Sequence, residues 1–279
     1  MKRAQRSHLH VAAATDPGMT GKNNEDNYGV SAYTLSATDP TPVVFAIVSD
    51  GIGGHQAGEV ASEIVVNEFS QRVARSDGSQ PLEVIKAAFA SANKLLLEEA
   101  DSDPGKHGLG ATLACIWVIG RRLYTANAGD SRIYLVRGNT IQQLSVDHTW
   151  VQEAIEKGII DASQSAKHPN AHVIRRYLGS EKSFEPDFRL RMSAGESDER
   201  SFANQGLPLQ SGDVILLCSD GLTDLVTNEE LVTLMQNSKG MRETSQSLVT
   251  LANSRGGHDN ITVVMLMLPW GSEKQDWYI

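Results

Sequence analysis

Cysteine is scarce in this sequence, since the 279 residues include only two. Cys115 and Cys218 each lie inside an apolar run, and the chain has no CxxC motif, no HExxH motif and no Cys/His cluster with ligand spacing. A disulfide framework and a motif-type structural zinc site are therefore not supported. We expect both cysteines to be reduced core residues and the protein to be cytoplasmic.

Positive charge and long apolar runs are also limited. Lys and Arg number 25 against 34 Asp and Glu, which leaves a formal charge of −9. A nucleic-acid binder normally carries a basic face, so we expect no nucleic-acid partner. No segment approaches the roughly 20 apolar residues that span a bilayer, and the apolar run near the N-terminus is broken by His10. We therefore expect neither secretion nor a membrane association.

The chain does contain enough apolar sequence for one sizeable core. Hydrophobic residues make up 40% of it, and a chain of this length buries roughly three quarters of its unfolded surface. No linker-like stretch divides the sequence, so we predict a single domain over residues 1–268. Residues 193–206 are predicted to be a polar insertion in this domain, and residues 269–279 a loosely held C-terminal tail.

The hydrophobic periodicity changes several times along the chain. Short strand-like runs are separated by turn residues, whereas four segments repeat apolar residues every three or four positions, as amphipathic helices do. The helical segments span about 55–73, 81–100, 229–238 and 242–254. Helix pairs between blocks of hairpins predict an α+β fold with two mainly antiparallel sheets flanked by helices. Residues 109–145 are predicted to form an antiparallel meander.

Acidic residues recur where apolar runs begin or end. Each carboxylate in such a place needs a cation, several hydrogen-bond donors or a raised pKa. The set comprises Glu25 and Asp26 before one strand, Asp50 and Asp220 before Gly at the ends of two others, Asp130 in a turn, and Asp259 before the last strand. Any one of these Asp residues alone is more often a turn residue than a ligand.

Their joint occurrence favours a different interpretation. If the strand ends converge, the like charges repel unless divalent cations neutralise them, and oxygen-only ligands suit Mg²⁺ or Mn²⁺. Two such ions can bridge a water, lower its pKa and hold a phosphoryl group during in-line attack. The sequence therefore indicates hydrolysis without a protein nucleophile.

Eight segments together resemble one family, in the family's order and over nearly the whole chain. They are NNED (23–26), VSDGIGGHQAGEVAS (48–62), GATLACIWV (110–118), NAGDSRIY (127–134), DHTW (147–150), IRRYLG (174–179), GDVILLCSDGLTD (212–224) and HDNITVV (258–264). The set is similar to that of the metal-dependent, type 2C serine/threonine protein phosphatases, and the compact layout is most like the bacterial branch.

The resemblance implies a four-layer α-β-β-α sandwich with a metal centre in a cleft. Asp50 would bridge two Mn²⁺ or Mg²⁺ ions, with Asp220 and Asp259 completing the protein ligands of the first. The second ion would be served by the Gly51 carbonyl and, directly or through water, by the acidic pair, with Glu25 as a ligand and Asp26 as a catalytic residue. Asp130, with Asp220, would hold a third, weaker ion.

The same resemblance implies an activity and partners. A metal-bridging water would attack phosphoserine or phosphothreonine in protein substrates, opposing a Ser/Thr kinase in signal transduction, and the enzyme is expected to be a monomer. Residues 150–179 would form the flap beside the cleft, which influences substrate choice.

Two positions depart from the family pattern. Gly21 stands where members usually carry an Arg that grips the substrate phosphate, and the adjacent Lys22 is the candidate to replace it as a point charge. Ile52 stands where eukaryotic members have a His proposed as general acid, which leaves His55 or a metal-bound water as candidates.

Other classes fit less well. The glycines after Asp50 do not match GxGxxG, GMTGK is too short for a Walker loop, and no GxSxG elbow is present. A catalytically weak, phosphatase-like scaffold that binds a phosphoprotein remains the alternative, supported by Gly21. The histidines His107, His148 and His172 are expected to be loop or surface residues rather than ligands.

Overall fold

The computed structural model describes residues 1–53, 57–182 and 184–270. Over these residues the chain forms two sheets whose neighbouring strands are all antiparallel. With elements numbered in chain order, the first sheet contains β1 (Lys2–Arg3), β3 (Asp26–Thr34), β4 (Pro42–Ile52), β6 (Leu113–Ile119), β7 (Arg122–Ala128) and β10 (Leu207–Pro208) in spatial order, with β5 (Gly110–Ala111) beside β4. The second contains β2 (His10–Asp16), β12 (Ile261–Met267), β11 (Val214–Cys218), β8 (Arg132–Arg137) and β9 (Thr140–Gln143).

Helices cover the outer face of each sheet. α1 (Ala57–Arg75) and α2 (Pro81–Ser102) pack on the first sheet, and α6 (Asn228–Asn237) and α7 (Met241–Ser254) pack on the second. Three shorter helices are α3 (Trp150–Glu156), α4 (Asp198–Ala203) and α5 (Asp220–Thr223). The predicted α-β-β-α sandwich is thus confirmed, and none of the helices in the described ranges is long and apolar enough to cross a membrane.

The alternation of side chains along β4 shows how the layers are held. Successive residues of a strand point to opposite faces, so one strand can serve two cores. One set packs against α1 and α2: Val43, Phe45 and Ile47. The other set packs against the second sheet: Val44, Ala46 and Val48. Both faces of β4 are therefore buried. This explains why the sequence of β4 is an apolar run from Val43 to Val48.

The predicted meander over 109–145 is wrong at one point. β6 pairs with β7 and β8 pairs with β9, but β8 pairs with β11 rather than with β7. The chain leaves the first sheet after β7 and enters the second at β8. Gly129 lies at this step with a positive φ of 103°, a conformation that glycine adopts without strain. Local turn signals therefore could not reveal the change of sheet.

The remaining boundaries follow the sequence pattern closely. Pro81 begins α2, where its fixed φ suits the first helical turn. Thr227 caps α6 and forms a capping box with Glu230. The segment 193–206 contains α4, which is capped by Ser197. Cys115 and Cys218 are free and buried, as predicted.

Candidate metal and phosphate site

Two carboxylates face each other across neighbouring strands of the first sheet. Asp26 begins β3 and is directly opposite Asp50 near the end of β4. The Asp50 backbone is held by Thr112, whose N–H donates to the Asp50 carbonyl (2.8 Å) and whose Oγ1 accepts from the Asp50 N–H (2.9 Å). The predicted proximity of the acidic pair to Asp50 is therefore a consequence of strand register.

The second sheet contributes its acidic residues at the same end of the sandwich. Asp220 follows β11 and begins α5, whereas Asp259 precedes β12, the antiparallel neighbour of β11. A Cβ on Gly221 would lie 2.1 Å from the Asn260 carbonyl oxygen, so only glycine permits this close approach of the two chain segments. Asp220 and Asp259 each raise the pKa of Asp26 and of Asp50, because the carboxylates lie close enough to repel.

Asp130 completes the group from the β7–β8 connection. It is 6% exposed, and its Oδ1 has no hydrogen-bond partner among the described residues. The same is true of Oδ1 of Asp26 and of Asp220. Buried polar atoms in proteins nearly always have a partner, so three unpartnered carboxylate oxygens in one place indicate a site for an ion or water.

Burial and mutual repulsion perturb these carboxyl groups strongly. Burial, partly offset by hydrogen bonds from Ser219 and Thr262, raises the pKa of Asp26 to about 7. Burial and the neighbouring Asp224 and Asp259 raise the pKa of Asp220 to about 6. The pKa values of Asp50 and Asp130 lie well above the usual range, again because of burial and then of neighbouring carboxylates.

No Lys or Arg ion pair in the described residues compensates this charge, although Arg132 partly lowers the pKa of Asp130. Among the ion pairs of the described residues, none joins a Lys or Arg to Asp26, Asp50, Asp130 or Asp220. Removing charges from water without compensation is costly. Carboxylate and carbonyl oxygens are the ligands that Mg²⁺ and Mn²⁺ prefer, so the donor set fits a divalent-cation centre.

A carbonyl oxygen and a further carboxylate border the same space. A Cβ on Gly58 would lie 2.8 Å from the Gly51 carbonyl oxygen and 2.7 Å from Cδ of Glu25, and a Cβ on Gly51 would lie 2.0 Å from the Gly58 carbonyl oxygen. Side chains are thus excluded at both glycines. The Gly51 carbonyl and the Glu25 carboxylate remain neighbours, as the predicted second-ion ligands require.

Asn260 is a site residue that the sequence reasoning missed. Its Oδ1 accepts from the Glu25 N–H (2.7 Å), and its Nδ2 donates to the carbonyls of Pro17 (3.0 Å) and Asn23 (3.1 Å). One amide therefore fixes the loop that carries the acidic pair. Its place beside Asp259 was visible in the sequence, but its partners lie more than 230 positions away.

Comparison with known proteins agrees with this geometry. The sequence profile of the family described as Protein phosphatase 2C matches residues 20–157. A serine/threonine phosphatase stp from Listeria welshimeri is 34% identical over 262 residues, covering 92% of this chain and 95% of the relative. The chain belongs to the protein phosphatase 2C family.

Solved structures of protein phosphatase 2C relatives have the same fold. The serine/threonine phosphatase of S. agalactiae superimposes with a TM-score of 0.80 at 29% identity, covering 93% of this chain and 99% of the other. The catalytic domain of PstP, solved with two manganese ions, superimposes with a TM-score of 0.75 at 30% identity, covering 93% and 97%. The resemblance stated from the motifs is thus confirmed, and this chain is a phosphatase of a metal-dependent family whose matching relatives include bacterial enzymes.

In this protein phosphatase 2C chain, the two departures from the family pattern have different surroundings. Gly21 is exposed with a φ of 74°, and a Cβ there would have no heavy atom within 4 Å. Lys22 is exposed, and its charge lowers the pKa of Glu25, opposing the effect of burial. Ile52 pairs with Gly110 in the β4–β5 ladder. His55, the candidate general acid, lies outside the described residues.

His148 lies in the loop between β9 and α3, as expected, but it is buried and not at the surface. Its side chain is 4% exposed, and its Nδ1 accepts from the Gly129 N–H (3.2 Å) while Nε2 donates to Oδ2 of Asp187 (3.0 Å). Although burial raises the pKa of Asp187, hydrogen bonds from His148 and Arg189 hold it below its usual value. His148 thus supports the turn that carries Asp130. His107 and His172 are exposed, as predicted.

A cleft of about 420 Å³ adjoins the carboxylates of this phosphatase. Asp130 and Asp220 line it from the two sheets, and Thr149 and His172 line it from the segment around residues 149–179. Arg132 also lines it, with Nε and Nη2 bonded to both oxygens of Asp147. This pairing occupies the Arg132 guanidinium, so the arginine is held in place rather than free to reach a ligand.

Proposed function

We propose that this phosphatase hydrolyses phosphoserine and phosphothreonine esters in proteins with two divalent ions, Mn²⁺ or Mg²⁺, and a third ion at a weaker site. The observation that carries the proposal is the convergence of Asp26, Asp50, Asp130 and Asp220, with raised pKa values and no Lys or Arg partner among the described residues. The match to a family with manganese-bound structures supports it.

The proposed ligand roles follow the positions of the oxygens. Asp50, which is opposite Asp26 and repelled by every other Asp of the group, would contact both ions. Asp220 and Asp259 would complete one ion's protein ligands. The Gly51 carbonyl, with Glu25 or Asp26 directly or through water, would serve the other. Asp130, with Asp220, would hold the third.

When bound, the ions would supply positive charge to the phosphoryl oxygens and an activated water. The protein's own residues would orient these components. Ser219 Oγ donates to Oδ2 of Asp26 (2.6 Å), which leaves Oδ1 available to a water or an ion. Lys22, which is exposed and close enough to Glu25 to lower its pKa, would attract the substrate phosphate as a point charge. Protonation of the leaving alkoxide is assigned to a water or to His55.

The biological setting stays a prediction. The chemistry implies phosphoprotein substrates and an opposing Ser/Thr kinase, and the predicted monomer and cytoplasmic location have yet to be tested. The proposed boundaries are one domain over residues 1–268 with a flap at 150–179. The C-terminal end of that segment is tied to β5, since Leu178 and Ala111 exchange backbone hydrogen bonds (2.9 Å each). Within the segment, the Trp150 N–H donates to the Val173 carbonyl (2.8 Å).

The proposal is tested by hydrolysis of para-nitrophenyl phosphate and of a phosphothreonine peptide with MnCl₂, with MgCl₂ and with EDTA. We expect metal-dependent turnover that EDTA abolishes. Asp220→Asn should reduce kcat/KM by about a hundredfold or more, because a charged ligand becomes neutral. Asp101→Asn, an exposed acidic residue of α2, is the matched control and should retain full activity.

The alternative scaffold function gives a different result. Folded protein that binds Mn²⁺ by calorimetry but hydrolyses neither ester would overturn the catalytic proposal. Phosphopeptide binding without turnover would then favour the scaffold.

A further inference from the structure

The side chain of Arg189 contacts three carboxylates, although only 10% of it is exposed. Its Nε donates to Oδ2 of Asp187 (2.8 Å), and its Nη1 donates to Oε1 of Glu156 (3.4 Å) and to Oδ1 of Asp198 (3.2 Å). Glu156 is the last residue of α3, and Asp198 is the first residue of α4. One largely buried guanidinium therefore joins the ends of two short helices.

The backbone around Arg189 is anchored on both sheets. Asp187 exchanges backbone hydrogen bonds with Asn127 of β7 (2.9 and 3.0 Å), and the Arg191 N–H donates to the carbonyl of Leu144 (2.9 Å), directly after β9. Nη2 of Arg191 also lies 3.3 Å from the glutamate oxygen at the end of α3. The two arginines therefore form a fixed, positively charged support for this end of the helix.

Arg189 is also connected to the start of α3. Oδ2 of Asp187 accepts from Nε of Arg189 and, at 3.0 Å, from Nε2 of His148. His148 directly precedes Thr149, whose side chain caps α3. The arginine is thus connected to both ends of one helix, directly at Glu156 and through Asp187 at His148.

Helix α3 forms part of the wall of the cleft beside the carboxylates. Thr149 and Val151, at the start of the helix, line this cleft. A small phosphate ester needs only the carboxylate centre, whereas the residues on either side of a phosphorylated side chain in a protein extend along the wall. The position of α3 therefore bears on peptide substrates more than on small esters.

We propose that Arg189 is a positioning residue that fixes α3 for the binding of phosphorylated protein substrates. The inference rests on the proposed function, because it takes the cleft as the place where a phosphoprotein binds. Arg189 acts through α3 and contacts no reacting atom. Three carboxylates surround its planar group, and the several N–H donors of an arginine match them in a way that the single ammonium of a lysine does not. Asp198 gives the polar segment 193–206 a share in this support.

Glu156→Gln tests the direct contact with α3. The Glu156 side chain is 38% exposed, so its substitution leaves no buried charge without a partner. We expect the KM for a phosphothreonine peptide to rise about threefold to tenfold, while kcat and the hydrolysis of para-nitrophenyl phosphate change by less than about twofold. Glu98→Gln, which breaks an exposed ion pair with Lys94 (3.5 Å) on α2, is the matched control and should change none of these values.

Substitution of Arg189 itself removes the contacts at both ends of the helix. Arg189→Ala should therefore raise the KM for the peptide more than Glu156→Gln does. Arg189→Lys keeps the charge but not the planar fork, so its KM should lie between those of Arg189→Ala and the unmodified protein. Circular dichroism checks that each variant is folded, and Glu156→Gln decides the question if Arg189→Ala does not fold.

Trp150, the first residue of α3, reports the position of the helix without reference to activity. Its ring stacks on that of His168, with the ring centroids 4.6 Å apart. In nitrogen-labelled protein, the indole N–H signal of Trp150, assigned with Trp150→Phe, should shift in Glu156→Gln and not in Glu98→Gln.

Two results would overturn the proposal. One is an unchanged Trp150 signal in Glu156→Gln, and the other is a KM that stays the same for the peptide or rises equally for the peptide and the small ester. If the unmodified protein hydrolyses neither substrate, the proposed function fails. The dissociation constant of the phosphopeptide, measured by fluorescence anisotropy, then replaces the KM, so the two failures are recognised separately.

Discussion

The Oγ of Ser219, which follows β11 of the second sheet, donates a hydrogen bond of 2.6 Å to Oδ2 of Asp26 in the first sheet, although the two residues lie 193 positions apart. The same Oγ accepts from the Thr262 N–H (2.9 Å) in the second sheet. One hydroxyl thus links Asp26, at the start of β3, to the end of β11 that is followed by Asp220. This contact therefore joins the two halves of the proposed metal site.

Removal of this link should weaken the fold measurably. Ser219→Ala deletes the donor to Asp26 and leaves the Thr262 N–H buried without its acceptor, so we expect the free energy of unfolding to fall by about 1–3 kcal/mol. Urea denaturation measures the change. Ser102→Ala, an exposed serine at the end of α2, should stay within about 0.5 kcal/mol of the unmodified protein. Equal stability of the two variants would contradict the linking role.

Metal-free protein should lose stability as the pH rises towards neutral. Burial raises the pKa of Asp26 to about 7 and that of Asp220 to about 6, so the folded state binds more protons than the unfolded state. The contribution of these groups is complete below about pH 4 and is lost as the pH rises through their folded-state values.

Thermal unfolding in EDTA between about pH 5 and about pH 8 measures this effect. Asp26→Asn removes the Asp26 contribution, so its Tm relative to the unmodified protein should rise with pH. MnCl₂ should raise the Tm of the unmodified protein more at the upper pH, where the carboxylates that bind it are ionised. A difference in Tm that stays constant with pH would refute the assignment to Asp26.

Gly21 offers a test of the missing phosphate-binding Arg. Its φ of 74° makes any side chain strained, yet a Cβ there meets no heavy atom within 4 Å. Gly21→Arg and Gly21→Ala should therefore both cost about 1 kcal/mol of stability. Only Gly21→Arg should lower the KM for a phosphothreonine peptide, by about threefold to tenfold, because it alone adds a guanidinium.

The charge of Lys22 can be tested for a contribution to binding of the substrate phosphate. Lys22→Ala should raise the KM with little change in kcat, since the charge would contribute to binding in ground and transition states alike. Steady-state kinetics at two salt concentrations measure this, and the difference between the proteins should shrink at the higher one. A fall in kcat with an unchanged KM would instead indicate a role in the chemical step.

His148 should act as a structural support of the Asp130 turn. His148→Ala leaves the Gly129 N–H without its acceptor and removes one hydrogen bond of the buried Asp187, which keeps its bonds from Arg189, so we expect a loss of about 1–3 kcal/mol in the free energy of unfolding. Nitrogen NMR should show the proton on Nε2 of the unmodified protein, because Nδ1 accepts from Gly129. A proton found on Nδ1 would overturn this hydrogen-bond arrangement.

The layers of the fold and the acidic character of the candidate site followed from local sequence patterns. An apolar run such as that of β4 is typical of a strand buried on both faces. The helices were indicated by apolar residues at every third or fourth position and by residues near their starts such as Pro81 and Thr227. Asp50 and Asp220 could also be placed at strand ends from the sequence, because each comes at the end of an apolar run.

Tertiary structure alone decided which residues meet. The turn after β7 looks local, but β8 pairs with β11, because strand pairing depends on contacts far apart in the chain. The buried state of His148, the hold of Asn260 on the Glu25 loop and the contact of Arg189 with Glu156 have no local signal. Each depends on a side chain finding a partner that folding, not sequence spacing, brings within hydrogen-bond distance.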